Sequence, residues 1–259
     1  MKVVISALHF AWDDIEQCLA RAGDEFGLDG VELSFHPTMS PPHCTEDDLG
    51  VVRAAAERRG LILSAHIWEN LPGLGAADGA QVLERWLQAC RRTGVTDLIV
   101  HGGAHPDQQA GIRQVGDVFG GVIGSFESAG VVLNVENHYP YGYRQCGELF
   151  SEPWEFLELF RTVPSPCLRF CFDTGHAHMS RNTRELLREV GPHLNYVHLA
   201  DNHGEHDDHC GYGEGTVEWE SLLGQLGEIG FEGPFCVEFP VREDMEPFRR
   251  CMHDLRQRF

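Results

Sequence analysis

The chain has 259 residues, which is ample for one large domain with a substantial core. Its composition is 42% hydrophobic and 23% charged, and these values exclude a disordered chain. Lys and Arg number 20 against 40 Asp and Glu, so the net charge of −20 excludes a long basic track for nucleic acid. Fifteen histidines direct the search toward metal chemistry.

Short β-branched runs alternate with longer segments of helical periodicity from one end of the chain to the other. The predicted strands are Val3–Ala7, Gly30–Leu33, Leu61–Ala65, Asp97–Val100, Val131–Val135, Leu168–Phe172, Val197–Ala200 and Phe235–Val237. The predicted helices are Trp12–Phe26, Thr45–Arg59, Gly79–Thr93, Gln109–Ala129, Pro153–Thr162, Thr183–Val190, Trp219–Ile229 and Asp244–Arg258.

This alternation is compatible with an open doubly wound sheet or with a closed (β/α)8 barrel. The count of eight, the length, and the absence of a G-x-G-x-x-G motif after the first strand favour the barrel. The chain contains no linker-like, charge-block or low-complexity segment. We therefore expect an α/β protein folded as a single-domain (β/α)8 TIM barrel over residues 1–259.

A histidine or a carboxylate lies near the carboxyl end of each of six consecutive predicted strands. These residues are His66, His101, Glu136, Asp173, His198 and Glu238. A single such residue at a strand end usually caps a helix or makes an ordinary hydrogen bond. Six of them at one rim of a barrel would repel one another and lose solvation without a counter-charge. A divalent cation removes that cost, and mixed imidazole and carboxylate ligands suit Zn or Mn, with Mg or Co also possible.

Further candidate ligands lie in the segments that follow the sixth and seventh strands. His176 lies three residues after Asp173, in the segment DTGHAH. Asp207 and His209 lie in the long loop 201–215, and both can face inward only if that loop folds over the mouth of the barrel. We expect His203 and His206 of the same loop to be solvated.

Seven short motifs together resemble a known family. They are AH at 65–66, VHGG at 100–103, VEN at 135–137, DTGHA at 173–177, VHLADN at 197–202, DDHCGYGEG at 207–215 and VEFP at 237–240. In combination they resemble the xylose isomerase-like TIM barrels, a superfamily that also contains endonuclease IV. The resemblance covers nearly the whole chain.

The resemblance implies two different metal centres. Similarity to the sugar-isomerising branch implies one divalent metal bound by Glu136, Asp173, His198 and Glu238. Similarity to the endonuclease branch implies three zinc ions. The additional ligands would be His66, His101, His176, Asp207 and His209.

The preferred hypothesis is a metal-dependent sugar or sugar-phosphate isomerase or epimerase. Such a reaction removes a proton next to a carbonyl group, which requires a base and a Lewis acid. The resemblance implies Glu136 and Glu238 as the acid/base pair, with His176 orienting a substrate hydroxyl. The side chains expected to line a polyol pocket are Trp68, His138, Tyr139, Tyr141, Tyr143 and Arg144.

Two alternatives stay open. One is an endonuclease IV-like zinc phosphodiesterase that acts on abasic DNA. The loop HYPYGYRQ after Asn137, the lack of a lysine after His198 and the small number of basic residues disfavour it. The other is a metal-dependent dehydratase of polyols or keto acids. A binding module without catalytic activity is the least favoured class.

The remaining features concern location and assembly. The nine cysteines are odd in number and include no C-x-x-C pair, and no signal peptide or membrane-spanning segment is recognisable. We therefore expect reduced thiols in a cytoplasmic protein with a small-molecule substrate. The resembling isomerases are commonly dimers or tetramers, which implies a homo-oligomer.

Overall fold

Eight parallel strands close on themselves in the computed structural model, which describes residues 1–9, 15–35, 45–243 and 245–259. Each strand pairs with its neighbours in chain order, and β8 returns to β1, so the open sheet is excluded. The strands are β1 (Lys2–Ser6), β2 (Gly30–Phe35), β3 (Ile62–Ile67), β4 (Asp97–Val100), β5 (Val132–Glu136), β6 (Leu168–Asp173), β7 (Leu194–Leu199) and β8 (Pro234–Val237). The predicted TIM barrel is confirmed.

Helices alternate with the strands and pack around the outside of the barrel. They are α1 (Ile15–Ala20), α2 (Glu46–Arg59), α3 (Leu71–Leu74), α4 (Ala76–Thr93), α5 (Gln108–Ala129), α6 (Pro153–Thr162), α7 (Thr174–Ser180), α8 (Thr183–Val190), α9 (Trp219–Ile229) and α10 (Glu246–Arg258). A π-helical turn, Arg21–Glu25, continues α1. No helix within the described ranges is long and apolar enough to cross a membrane.

Most predicted boundaries agree with the structure within three residues, and two helices were not predicted. The predicted starts at Trp12 and Asp244 lie outside the described residues. The unpredicted helices, α3 and α7, are four and seven residues long. Both are too short to show a helical repeat of apolar residues in the sequence.

The start of α2 shows how the sequence sets a helix boundary. The hydroxyl of Thr45 accepts a hydrogen bond from the backbone N–H of Asp48, and the Asp48 carboxylate accepts one from the Thr45 N–H. This capping box satisfies two donors that the first helical turn leaves unpaired. Gly60 ends the helix with a φ of 67°, a left-handed conformation that glycine adopts without steric cost.

The barrel interior is filled below the predicted site. Side chains alternate along a strand, so the residue two positions before each strand-end ligand points into the barrel as well. Among these residues, Ile99, Cys171, Tyr196 and Cys236 form a buried cluster with Val4. The Tyr196 hydroxyl also hydrogen-bonds Ser64 Oγ at 2.7 Å. The strand-end side chains therefore stand on a packed floor and face the open end.

Candidate metal centre

The six strand-end residues converge at the carboxyl end of the barrel, as the sequence predicted. Four of them, Glu136, Asp173, His198 and Glu238, place one ligand atom each within 4.8 Å of one another. His66, His101 and Glu136 form a second set within the same limit. All six are buried except His101, which is partly buried.

Glu136, the last residue of β5, belongs to both sets. Its Oε2 lies 3.0 Å from Nε2 of His66 and 3.2 Å from Nε2 of His101. Its Oε1 lies 3.3 Å from Nδ1 of His198 and 3.3 Å from Nδ1 of His176. One fully buried carboxylate thus faces four imidazole rings from four other segments of the chain.

The unpaired atoms at this point fit a cation. Among the described residues, both oxygens of Glu136, Nε2 of His66 and His101, and Nδ1 of His198 are buried without a hydrogen bond of acceptable geometry. Buried polar atoms are nearly always paired, and each unpaired atom is costly. These nitrogen and oxygen atoms lie close together, but their angles do not suit hydrogen bonds. This is the geometry expected when several donor atoms point at one ion. The nitrogen and oxygen donors suit Zn, Mn, Co or Mg.

The loop between β7 and α9 adds an outer group of ligand-type residues. Asp207 Oδ2 lies 3.2 Å from Nε2 of His176 and 3.4 Å from Nε2 of His209. His209 has a φ of 45° and donates from Nδ1 to the backbone carbonyl of Glu238 at 2.7 Å. The loop therefore folds over the mouth, and Asp207 and His209 both face inward, which is the arrangement that the sequence hypothesis required.

The helix α7 positions His176 against Asp173. The Asp173 carboxylate caps the helix by accepting from the His176 backbone N–H at 2.6 Å. The side chain of Asn137 pairs with the backbone of Asp173, accepting from its N–H at 2.8 Å and donating to its carbonyl at 3.0 Å. His176 Nδ1 donates to the Asn137 carbonyl at 2.9 Å, since a carbonyl can only accept. His176 therefore turns Nε2 toward Asp207.

The charges of the cluster balance within the protein. Burial by itself lowers the pKa of His66, but the carboxylates of Glu136, Glu238 and Glu32 outweigh burial and raise this pKa to about 9. Burial raises the pKa of Glu136, yet the facing imidazolium groups, His198 foremost, hold that pKa well below its usual range. Protonated histidines thus neutralise the carboxylates, and a divalent cation would take over this role with release of protons.

The carboxyl group of Asp173 is buried close to two other carboxylates, and this raises its pKa. Burial raises the pKa of Asp173 to about 7, and the neighbouring carboxylates of Glu136 and Glu238 add to this rise against the opposing effect of His176. A carboxyl group in this environment gains stability when a positive charge lies beside it. The electrostatics therefore agree with the unpaired atoms in indicating a cation position.

Aromatic rings border the donor sets. The ring of His138 is buried, stacks on that of His176 at a centroid distance of 4.6 Å and contacts Tyr139 edge-on at 3.8 Å. Burial and the neighbouring histidines keep the pKa of His138 well below its usual range, so this ring is neutral. Trp68 is 39% exposed and its ring centroid lies 5.0 Å from that of His66. Trp68 and His138 therefore both lie where a bound substrate could contact them.

Three other residues predicted to line the pocket make different contacts. The Tyr141 hydroxyl donates to the backbone carbonyl of His105 at 2.7 Å. The Arg144 guanidinium contacts Nδ1 of His206 at 3.0 Å, and the Tyr143 hydroxyl contacts the same nitrogen at 2.8 Å. Tyr143, Arg144 and His206 form a bridge between the loops after β5 and β7, here called the loop bridge. His206 is exposed, as expected, but it is also part of this contact.

Sequence reasoning missed Glu32, which forms a further donor group with His66, His198 and Glu238. Glu32 lies in the middle of β2, is fully buried, and places Oε2 2.8 Å from Nε2 of His198. Glu32 is the third residue of its strand, so the pattern of histidines and carboxylates at strand ends does not include it. A signal was present, because a lone charged residue in the apolar run GVELSF is rarely buried without a specific partner.

Comparison with known proteins places the chain in a family. The model of the xylose isomerase-like TIM barrel family matches residues 20–255. The chain therefore belongs to this family, in agreement with the barrel and with the motifs at the strand ends.

Individual relatives are distant. An uncharacterized protein of Methanocaldococcus jannaschii, MJ1311, is 32% identical over 115 residues, which cover 43% of this chain and 38% of the relative. The ketose 3-epimerase of Arthrobacter globiformis is 23% identical over 247 residues, or 89% of this chain and 79% of that enzyme. The chain spans less than two thirds of the length of two curated relatives that it matches.

Solved structures confirm the fold. The crystal structure of a D-tagatose 3-epimerase-like protein aligns with a TM-score of 0.83 at 20% identity, covering 99% of this chain and 97% of the other. At this level of identity, the likeness extends to the fold and to the length of the two chains.

Proposed function

We propose that this protein is a divalent-metal-dependent sugar epimerase or isomerase that acts on a ketose or a related sugar. The observation that carries the proposal is the pairing of Glu136 and Glu238 in one buried donor set with Asp173 and His198. The relatives named above support the same class, since one is a ketose 3-epimerase and one resembles a tagatose 3-epimerase.

The four residues Glu136, Asp173, His198 and Glu238 would hold the cation. A bound divalent cation supplies Lewis-acid stabilisation of the negative charge that develops on a carbonyl oxygen. His66 and His101, whose Nε2 atoms lie 3.0 and 3.2 Å from Glu136 Oε2, would hold the Glu136 carboxylate in place.

The two glutamates can exchange a proton with opposite faces of a substrate. Glu136 ends β5 and Glu238 follows β8. These strands are three positions apart in a closed ring of eight, so the two carboxylates approach the axis from different sides. One carboxylate would remove the proton next to the carbonyl group, and the other would return a proton on the opposite face. Inverting a carbon centre in this way is epimerisation, and a general acid/base pair contributes about 10²–10⁴-fold to such a rate.

The test is exchange of substrate hydrogen with solvent. The metal-loaded protein would be incubated with a panel of ketoses and aldoses in D2O, and NMR would detect deuterium at the carbon next to the carbonyl together with the new epimer. Glu136→Gln and Glu238→Gln should each reduce turnover by at least about 10²-fold. Glu155→Gln is the matched control, because Glu155 is equally buried but hydrogen-bonds the backbone near the start of α6.

An active Glu136→Gln, Glu238→Gln double variant would contradict the assignment of the acid/base pair. Turnover of no sugar in the panel by the metal-loaded wild-type protein would contradict the substrate class.

A second candidate rests on the additional donor groups. His66 and His101 with Glu136, and His176 with Asp207 and His209, could hold further cations, as a zinc phosphodiesterase acting on abasic DNA would require. Metal content decides between the two candidates. About one ion per chain, measured by elemental mass spectrometry on protein purified without chelator, supports the epimerase, whereas three zinc ions with cleavage of an abasic-site duplex support the phosphodiesterase.

A further inference from the structure

Glu32 is a buried carboxylate that forms a further possible donor group with His66, His198 and Glu238, and the proposed chemistry does not use it. Its Oε2 contacts Nε2 of His198 at 2.8 Å, and its Oε1 has no hydrogen-bond partner among the described residues. Glu32 pairs in register with Ser64, two residues before His66, so it lies one step deeper in the barrel than the strand-end ligands. Because it has no exposed surface, it can act on a substrate only through another residue.

The two ring nitrogens of His198 face different partners. Nδ1 lies 2.9 Å from Glu238 Oε2 and 3.3 Å from Glu136 Oε1, which places it in the donor set. Nε2 faces Glu32. A carboxylate accepts hydrogen bonds and donates none when ionised, so the contact with Glu32 requires the proton on Nε2. A cation that displaced the second proton of the imidazolium would then bind the lone pair of Nδ1.

We propose that Glu32 is a positioning residue for the metal centre: it holds the Nε2 proton of His198 and thereby fixes the ring with Nδ1 directed at the cation. This inference rests on the proposed metal dependence. Histidine ligands whose second nitrogen donates to a carboxylate are better oriented and more basic than free ones. Loss of such a partner typically weakens metal binding by about 10–100-fold.

Glu32 also influences His66. The Oε1 of Glu32 lies 3.9 Å from Nδ1 of His66, which is too long for a hydrogen bond but close enough for electrostatic attraction. Glu238 Oε1 lies 3.6 Å from the same nitrogen. Nδ1 of His66 thus faces two carboxylates, while Nε2 faces Glu136 Oε2 at 3.0 Å. Glu32 therefore lies beside the rings of both His198 and His66.

The test compares Glu32→Gln with Glu155→Gln. Glu32→Gln keeps the volume of the side chain and removes its charge, and Glu155→Gln makes the same change in a buried glutamate outside the site. Mn²⁺ affinity of the metal-stripped proteins would be measured by EPR titration of free Mn²⁺. We expect about 10–100-fold weaker binding for Glu32→Gln and unchanged binding for Glu155→Gln.

A spectroscopic measurement distinguishes positioning from simple packing. In the Zn²⁺-loaded wild-type protein, the His198 Nε2 proton should give a downfield, slowly exchanging NMR signal, which His198→Gln removes. Glu32→Gln should move this signal upfield and speed its exchange with water. If Glu32→Gln did not fold, Glu32→Asp, which keeps the charge but shortens the side chain, would serve for both measurements with the same expected losses.

The outcomes separate this inference from the proposed function. Unchanged Mn²⁺ affinity and an unchanged proton signal in Glu32→Gln, with wild-type protein that binds Mn²⁺, would overturn the inference alone. Failure of the wild-type protein to bind Mn²⁺, Zn²⁺, Mg²⁺ or Co²⁺ would overturn the proposed metal dependence and the role of Glu32 with it.

Discussion

Single residues at the carboxyl end of the barrel carry several contacts at once. Glu136 contacts two histidines through each of its oxygens. Asn137, the next residue, joins the ends of β5 and β6 through both polar atoms of its amide. The Asn137 amide therefore holds the backbone of Asp173 in place. The orientation of Asp173, a predicted metal ligand, thus depends on a residue outside the predicted ligand set.

Asn137→Ala should destabilise the protein by about 1–3 kcal/mol, because it leaves the buried N–H and carbonyl of Asp173 without their partners. Urea unfolding of the metal-stripped protein measures this loss. Asn70→Ala is a comparison at an exposed site, where the amide oxygen accepts a backbone hydrogen bond from Ala104, and its effect should be smaller. Equal unfolding midpoints for Asn137→Ala and wild type would contradict the expectation.

His209→Ala separates the two candidate functions at the level of one side chain. Nε2 of His209 lies 3.4 Å from Oδ2 of Asp207. His209 is not one of the four residues proposed to hold a single cation. For a one-metal epimerase we expect a decrease in kcat/KM of less than about tenfold, since the Lewis acid and both glutamates remain. A loss of bound zinc together with a collapse of activity would favour the multinuclear phosphodiesterase instead.

At the scale of elements, the loops after β5 and β7 meet over the mouth of the barrel. The Tyr143 hydroxyl contacts the backbone carbonyl of Glu205 at 2.7 Å and His206 Nδ1 at 2.8 Å. Arg144 and Gln145 have φ values of 46° and 59° in the same turn. Such positions cost of order 1–3 kcal/mol each and persist only where surrounding contacts hold them. The loop bridge is such a contact, and it joins two loops that both border the candidate site.

Tyr143→Phe should therefore raise KM for the sugar several-fold and leave kcat and thermal stability nearly unchanged. The change removes one hydroxyl from an exposed contact between two loops, and surface changes rarely alter stability by more than about 0.5 kcal/mol. Tyr212→Phe removes a hydroxyl that contacts Asp254 of α10 and not the loop after β5, so it is a control for loss of a tyrosine hydroxyl, with an unchanged KM. The same KM for both variants would show that the loop bridge does not affect substrate binding.

For the whole molecule, cation binding as proposed would depend on closure of the barrel. The candidate donor residues lie at the ends of different strands, so they are close together only when the ring of β1 to β8 is complete. A cation that binds the folded chain and not the unfolded one stabilises the fold by mass action.

At a Mn²⁺ concentration of 100 times Kd, this stabilisation is about 2.7 kcal/mol, which corresponds to an increase in Tm of about 5–10 °C for a chain of this size. Differential scanning calorimetry with and without EDTA measures it. Glu238→Gln should lose most of the increase, because it removes one of the four ligands. A Tm that is insensitive to both Mn²⁺ and EDTA would argue against a metal centre in the folded protein.

The sequence by itself determined the order of elements and the chemistry of the strand ends. Eight β-branched runs alternating with helical periodicity reflect local interactions between neighbouring residues, and their bounds could be predicted nearly everywhere. His66 and Glu238 could be identified because a histidine or carboxylate directly after an apolar strand is a local pattern with a regular spacing.

Only the tertiary structure decided which side chains meet and which turn away. The register of β2 against β3 places Glu32 level with Ser64, one step below His66, and closure of the barrel brings His198 of β7 against it. The Tyr141 hydroxyl turns to a backbone carbonyl instead of the mouth. Asp207 and His209 face inward because their loop folds over the barrel. Register, ring closure and loop path depend on contacts between residues far apart in the chain, and no pattern in a short stretch of sequence contains them.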